Sequence, residues 1–106
     1  MTDKVLVLST ASSQEEANQI ATALVERKLA ACVNIIPRIQ SVYRWEGKVE
    51  SAEEFLLVIK TVKARQEELQ SAIRKLHSYE LPECIAISIE SGISEYLKWL
   101  EECVRD

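Results

Sequence analysis

Two long apolar-rich segments, joined by Trp45-Glu46-Gly47-Lys48, occupy residues 31–61 and constrain the fold more than any other feature. They are typical of a β-hairpin, since Gly47 can adopt the positive φ that a tight turn needs. The first arm, residues 31–45, would extend over roughly 50 Å at about 3.3 Å per residue. A compact chain of 106 residues would have a diameter of only about 35 Å. We therefore expect a broken strand or a hairpin tip that overhangs the body.

An overhanging tip would expose the apolar side chains of the distal hairpin, residues 39–54, to water. Exposed hairpins of this kind tend to pair with other chains. The last helix adds to this argument, because it shows two neighbouring apolar stripes where one contact surface needs only one. The sequence thus predicts a homo-oligomer. The side chains that we assign to its interface are Ile39, Val42, Trp45 and, on the last helix, Trp99.

Length and composition are those of an ordinary globular protein, and we expect residues 1–106 to form a single domain. The net charge of −4 argues against a general nucleic-acid or anionic membrane surface. Only two glycines occur, which excludes the glycine-rich phosphate loops of nucleotide-binding proteins. No apolar run approaches the roughly 20 residues of a membrane span.

The cysteine pattern indicates a reducing compartment. Cys32, Cys84 and Cys103 are odd in number and widely spaced, and no C-x-x-C pair occurs, so we expect free thiols rather than a disulfide or zinc framework. The N-terminus shows no basic stretch followed by a long apolar run, so we expect no signal peptide. We predict a cytoplasmic protein.

The order of predicted elements is β-α-β-β-α-β followed by a helix, the α+β ferredoxin-like pattern. Ser13 precedes Glu16 at the capping-box spacing and should start the first helix, and Ser94 should cap the last one. Pro37 inside the second strand indicates an edge strand or a bulge. We expect a four-stranded antiparallel sheet with two helices on one face and the other face uncovered. The predicted strands are residues 4–10, 31–45, 48–61 and 84–89, and the helices start at 13 and span 64–77 and 94–104.

A possible metal site follows the second helix. His77 is the only histidine, and Glu83 and Cys84 lie within seven residues of it. An imidazole, a carboxylate and a thiol are ligands that suit copper or zinc. The alternative is a helix-terminating loop in which His77 interacts with the helix C-terminus. No cofactor is required by any motif, and Cu(II) or another divalent metal is the candidate ligand.

A second set of candidates could line a ligand cleft: Lys60, Thr61, Tyr79 and Tyr43. Lys60 and Thr61 would lie at the rim of the sheet, where a lysine could hold an anion or simply extend into solvent. Tyr43 and Trp45 share a strand face and could stack on a ligand or anchor a subunit interface. With one histidine far from the serines of the first strand–helix junction, a nucleophilic triad is unsupported. We expect no enzyme activity.

Several blocks of the chain resemble the CutA family of divalent-cation tolerance proteins. They are LAACVNI at residues 29–35, SVYRWEGK at 41–48, KT at 60–61, HSYELPE at 77–83, and Tyr96, Leu97 and Trp99. The resemblance implies a cytoplasmic homotrimer of ferredoxin-like subunits, similar in assembly to the PII signalling proteins. It also implies a link to divalent-metal tolerance and copper binding. The alternative, by analogy of architecture alone, is a binding module for a small anionic metabolite or nucleotide at clefts between subunits.

The chain departs from this family at the positions implied for copper. Bacterial relatives that bind copper have a cysteine near the end of the first strand, where this chain has Ser9. They also have two adjacent histidines after the second helix, where this chain has Leu76 and His77, followed by Ser78 in place of proline. One of the three implied ligand positions therefore remains.

Overall fold

The structure is a computed structural model that describes residues 2–106, and it has the α+β architecture expected from the sequence. The order is strand, helix, two strands, a short 3-10 turn, helix, strand and helix. The elements are β1 (Lys4–Ala11), α1 (Gln14–Glu26), β2 (Cys32–Trp45), β3 (Lys48–Val62), the 3-10 turn (Lys63–Arg65), α2 (Gln66–Leu76), β4 (Ile85–Ser88) and α3 (Ser94–Cys103). Within residues 2–106, no helix is long and apolar enough to cross a membrane.

The four strands form one antiparallel sheet in the order β2-β3-β1-β4, which confirms the ferredoxin-like arrangement. Val7 lies opposite Ile59 in the centre of the sheet. The side chains of Val7 and Ile59 lie on the sheet face that packs against the apolar stripes of α1 and α2, and together these form the main core. Its fully buried members include Val7, Ile20, Leu24, Leu57, Ile59, Leu69 and Ile73.

The helix starts differ in how well the sequence anticipated them. The Ser13 hydroxyl accepts the Glu16 backbone N–H at 3.1 Å, as the capping-box spacing predicts. The expected start of α2 at residue 64 was early, because a 3-10 turn precedes Gln66. The prediction for α3 was wrong: Ser94 is its first helical residue, and the N-cap position belongs to Ile93, which offers no capping side chain.

The long hairpin both bulges and overhangs. Ile36 pairs with Leu56 and Ile39 with Glu54, so two residues of β2 oppose one of β3 at Pro37 and Arg38. β2 is also an edge strand, which is where a proline is tolerated. The chain measures 44 × 25 × 22 Å with a radius of gyration of 14.3 Å, longer than a compact body of this size. The tip therefore extends beyond the core, as its length predicts.

A tight turn closes this hairpin at Glu46 and Gly47, whose φ angles of 49° and 79° are both positive. Two consecutive positive φ values are the mark of the turn type that matches the twist of hairpin strands. The glycine was expected in this role from the sequence.

The sheet face opposite α1 and α2 is only partly covered. α3 packs on one end of it, where Leu100 and Val104 form a small second core with Val62. The Lys4 ammonium there bonds the Glu101 carboxylate at 2.9 Å. The rest, which we call the free face, keeps apolar side chains half-buried or exposed. They are Leu6, Leu8, Ile36, Leu56, Val58, Ile85 and Ile87.

Candidate functional site

A cleft of about 610 Å³ lies between the hairpin and the loop that follows α2. We call it the hairpin cleft. The loop lies against the end of β1, because Ser9 donates a hydrogen bond of 2.7 Å to the Glu83 carbonyl. The cleft thus forms where three separate parts of the chain meet. Its lining residues are Thr10, Ser41, Val42, Tyr43, Trp45, Glu54, Tyr79, Glu80, Leu81 and Glu83.

A hydrogen bond between Tyr79 and Glu54 connects the two sides of this cleft. The Tyr79 hydroxyl donates to Glu54 Oε2 at 2.6 Å, and the Glu54 residue is only 8% exposed. Burial, and then the hydrogen bond to the carboxylate, raises the pKa of the Tyr79 hydroxyl above its ordinary value. The phenol therefore stays protonated and continues to donate at neutral pH.

The hairpin cleft is acidic. Glu54, Glu80 and Glu83 contribute three carboxylates to its lining, which contains no lysine, arginine or histidine. None of the three carboxylates takes part in an ion pair among residues 2–106. A cleft with this charge attracts cations and repels anions. The lining therefore does not favour the anionic-metabolite alternative.

Of the four residues predicted to line a cleft, the structure brings Tyr43 and Tyr79 together and places the other two elsewhere. Thr61 is fully buried and donates its hydroxyl to the Leu29 carbonyl at 2.7 Å, so it holds β3 to the segment between α1 and β2. The Lys60 ammonium lies over the Tyr96 ring of α3, 6.0 Å from its centroid. Lys60 and Thr61 lie on opposite faces of β3, and neither lines the hairpin cleft.

Both nitrogens of His77 are engaged in hydrogen bonds. Its side chain is fully buried, and Nδ1 accepts the backbone N–H of Tyr79 at 3.0 Å. The ring proton therefore lies on Nε2, which donates to the Thr10 carbonyl at 2.6 Å. The ring also lies 4.6 Å from the Tyr79 ring, centroid to centroid. In this conformation His77 holds the loop to β1, and a metal could bind only by displacing one of these bonds.

The other predicted metal ligands lie close by without forming a coordination group. Ser9, at the position implied for a family cysteine, bonds the Glu83 backbone rather than facing an open site. Burial, with a smaller contribution from Glu83, raises the pKa of the Cys84 thiol to about 11, so the thiolate that metals prefer is scarce at neutral pH. In the described part of the chain, no three His, Cys, Asp or Glu side chains are arranged to hold a metal ion.

Glu16 forms hydrogen bonds that the sequence pattern did not reveal. Its carboxylate accepts hydrogen bonds from the Ser12 hydroxyl and backbone N–H and from the Ser78 N–H, at 2.8–2.9 Å. Burial acts to raise the pKa of Glu16, but these bonds outweigh it and lower the pKa to about 2. The carboxylate thereby joins the β1–α1 loop to the loop that carries Tyr79. The capping-box spacing marked Glu16, but its partner Ser78 is 62 residues away.

Glu54 and Glu80 are also absent from the residues that the sequence selected. Glu54 immediately precedes the apolar run of residues 55–59, and this position was the available signal for a carboxylate near the core. Its partner, Tyr79, comes from another part of the chain. The positions of Glu54 and Tyr79 in the sequence do not indicate that the two side chains pair.

The predicted interface side chains are largely exposed in the single chain. Val42 is 66% exposed, Trp45 is 47% and Trp99 is 44%, whereas Ile39 is half-buried. Tyr96 lies beside Trp99 with ring centroids 5.4 Å apart, which extends the apolar surface of α3. Their contacts with another copy stay a prediction.

The chain matches one protein family over nearly its whole length. The family model of the CutA1 divalent ion tolerance protein matches residues 5–103. The chain belongs to the CutA1 family. The resemblance seen in its sequence blocks is thereby confirmed.

Relatives of this family from bacteria and archaea cover nearly the whole chain. The divalent-cation tolerance protein CutA of Thermus thermophilus is 47% identical over 97 residues, which are 92% of this chain and 94% of the relative. The CutA of Archaeoglobus fulgidus is 48% identical over 95 residues, 90% of this chain and 92% of the relative. Against the chloroplast CutA of Arabidopsis thaliana the identity is 44% over 96% of this chain, which spans only 56% of that protein's length.

Solved CutA structures share the fold closely. The structure from Xylella fastidiosa has a TM-score of 0.96 at 38% identity and covers 98% of this chain and all of its own. The Thermus thermophilus structure has a TM-score of 0.94 at 45% identity, with 96% and 99% covered. The Archaeoglobus fulgidus protein, with the same TM-score, identity and coverage, is named periplasmic.

Proposed function

We propose that the chain is a homotrimeric, non-enzymatic member of the CutA1 family that contributes to divalent-cation tolerance by weak metal binding, with Cu(II) as the first candidate. The observation that carries the assembly is the exposed apolar surface of the hairpin and of the free face. The metal part rests on the family and on the neighbourhood of His77, Glu83 and Cys84.

Two different apolar surfaces support a ring of subunits. One is the hairpin, where Val42 and Val49 are 66% and 69% exposed. The other is the free face, where Ile85 and Ile87 are 53% and 49% exposed. When the hairpin of one copy packs on the sheet of the next, the two contacting surfaces differ, and contacts of this kind form a ring when the rotation between subunits closes. Three subunits is the number that the family resemblance implies.

Weak rather than tight copper binding follows from the contacts of the candidate ligands. A metal at His77 Nε2 must displace the Thr10 carbonyl, and a metal at Nδ1 must displace the Tyr79 N–H. Cys84 must lose a proton that its pKa of about 11 retains at neutral pH. These costs lower the affinity for metal and make it rise with pH.

Calorimetric titration with Cu(II) tests the metal part. We expect weak, saturable heat with the native chain, and a loss of that heat in His77→Ala. Cys84→Ser, a substitution that leaves a similar volume, is a second variant in case His77→Ala does not fold. Equal heats in the native chain and both variants would exclude these two residues as ligands.

The single imidazole is the main argument against catalysis. Since His77 uses one nitrogen as a donor to Thr10 and the other as an acceptor from Tyr79, it has no free lone pair for general-base work. Free thiols at all three cysteines support a reducing compartment, and we propose the cytoplasm. Cell fractionation with an antibody to the chain tests this location, and recovery in a periplasmic or organellar fraction would contradict it.

A further inference from the structure

We infer that α3 detaches from the sheet in acid while the main core stays folded, because protonation of Asp3 and Glu101 leaves Lys4 as an unpaired cation beneath the helix. This change is separate from metal binding near His77 and holds whether or not the chain binds copper. Three observations carry the inference: the burial of Lys4, its dependence on two carboxylates, and the small number of other attachments that α3 has.

Lys4 occupies a nearly buried position under α3. Its side chain is only 11% exposed, and it lies opposite Val62 on the sheet face that α3 covers. The ammonium contacts Asp3 at 2.6 Å and Glu101 at 2.9 Å, and no other carboxylate pairs with it within residues 2–106. A buried charge that loses its partners is costly, because neither water nor a counter-ion compensates it. Lys4 therefore depends on two carboxylates that titrate in acid.

The groups around Lys4 determine the direction of the pH dependence. Hydrogen bonds to the Lys4 ammonium lower the pKa of Asp3 and of Glu101. The same bonds raise the pKa of Lys4, so the lysine stays charged in acid. The Lys4–Glu101 contact is therefore complete above the ordinary Glu101 pKa of 4.5 and is lost as the pH falls below it. Arg105 donates to the other Glu101 oxygen at 3.0 Å, but this arginine is exposed and remains hydrated without its partner.

α3 has little other attachment to the sheet. Its buried side chain Leu100 and the adjoining Val104 pack with Val62 in the small second core, whereas the buried side chains of the main core come from β1, α1, β3, α2 and the segment after α1. The first turn of α3 has no capping side chain. Detachment of α3 returns Lys4 to water and leaves the packing of the main core in place.

The remaining polar contacts of α3 do not respond to acid in the same way. Arg65 donates from Nε to the Val104 carbonyl at 2.9 Å, and neither group titrates in the acid range. The Arg65 guanidinium also pairs with the exposed Asp106 carboxylate, and exposed pairs contribute little to stability. The Lys60 ammonium over the Tyr96 ring keeps its charge in acid. The Lys4–Glu101 contact is therefore the acid-sensitive attachment of α3.

Hydrogen exchange of the full chain, followed by mass spectrometry at pH 7 and at about pH 3, tests the inference. Protection factors of residues 94–103 should fall about tenfold, as for loss of one charged hydrogen bond, while those of β1 and α1 stay within about twofold. Light scattering at both pH values should give the same mass. Unchanged protection of α3, equal loss in α3 and β1, or a loss that occurs only together with a fall in mass would overturn the inference.

Three variants separate this mechanism from general instability in acid. Lys4→Met removes the buried charge and keeps an apolar side chain, so its α3 should have the same protection at both pH values. Glu101→Gln removes the titrating carboxylate, so its α3 should be about tenfold less protected already at pH 7 and lose less than the native chain on acidification. Glu102→Gln changes an exposed neighbouring position with no ion pair within residues 2–106 and should behave like the native chain. Detachment of native size in Lys4→Met, or a lost pH dependence in Glu102→Gln, would overturn the inference.

Discussion

The Tyr79 hydroxyl lies 2.6 Å from Glu54 Oε2, so a single hydrogen bond connects the loop after α2 to the long hairpin. The same loop is held to α1 by Glu16 through the Ser78 N–H, and to β1 by Ser9 through the Glu83 carbonyl. Together with the His77–Thr10 bond, four contacts from distant parts of the chain therefore fix the loop. They determine the shape of the hairpin cleft.

Removing the Tyr79 hydroxyl should destabilise the protein. In Tyr79→Phe the nearly buried Glu54 carboxylate loses its hydroxyl donor, and we expect the free energy of unfolding to fall by about 1–3 kcal/mol. Urea unfolding at one fixed protein concentration measures this. Tyr96→Phe is the matched control, because the Tyr96 hydroxyl forms no hydrogen bond within residues 2–106, and the free energy of unfolding of this variant should change little. Equal effects of the two variants would contradict a stabilising role for the Tyr79–Glu54 bond.

The hydrogen bonds that the Glu16 carboxylate accepts from Ser12 and Ser78 should make the free energy of unfolding depend on pH in the acid range. Its folded pKa of about 2 lies below the ordinary 4.5, so its stabilisation is fully present above pH 4.5 and is lost as the pH falls toward 2. The shift corresponds to about 3 kcal/mol at neutral pH. Glu16→Gln should remove most of this and flatten the fall in stability between pH 4.5 and 2, as measured by urea unfolding at several pH values.

Glu15→Gln is the control for that experiment. Glu15 occupies the same first turn of α1 and is exposed, so both variants change the charge near the helix N-terminus equally. If Glu15→Gln flattened the pH dependence of the free energy of unfolding as much as Glu16→Gln, a helix-dipole effect would explain the result. The Glu16 hydrogen bonds would then be excluded as its cause.

Cys84 should react slowly with alkylating reagents. Its pKa of about 11 leaves little thiolate at neutral pH. In a Cys32→Ser, Cys103→Ser background, the rate of iodoacetamide modification, followed by mass spectrometry, should rise with pH toward a midpoint near 11. A midpoint near the ordinary value of 9.0 would mean that the thiol is not shielded as the structure indicates.

Much of the fold could be predicted from local sequence. The length of the 31–45 segment indicated an overhanging hairpin, Pro37 an edge strand or bulge, and Gly47 the turn, and each prediction is confirmed. Ser13 likewise marked the start of α1. These features follow from the backbone chemistry of single residues, so they can be recognised without knowledge of the tertiary contacts.

The site was less predictable, because it depends on pairs of residues far apart in the chain. The Tyr79–Glu54 and Glu16–Ser78 bonds join residues 25 and 62 positions apart. Lys60 and Thr61 were predicted to line a cleft from their position at the end of an apolar run. Within one chain they contact the Tyr96 ring and the Leu29 carbonyl, and their place in a cleft between subunits stays a prediction. The capping role predicted for Ser94 was wrong for a similar reason: the packing of Leu100 and Val104 against Val62 holds α3 without a polar cap.

The molecular mass in solution, measured by light scattering, tests the proposed assembly most directly. The native chain should have three times the 12.0 kDa of one chain. Trp45→Glu, which adds a charge to the hairpin, should shift the mass toward 12.0 kDa, whereas Gln19→Glu on the exposed side of α1 should leave the native mass unchanged. A native mass of one or two chains, or a fully trimeric Trp45→Glu variant, would contradict the assignment of the hairpin to a trimer interface.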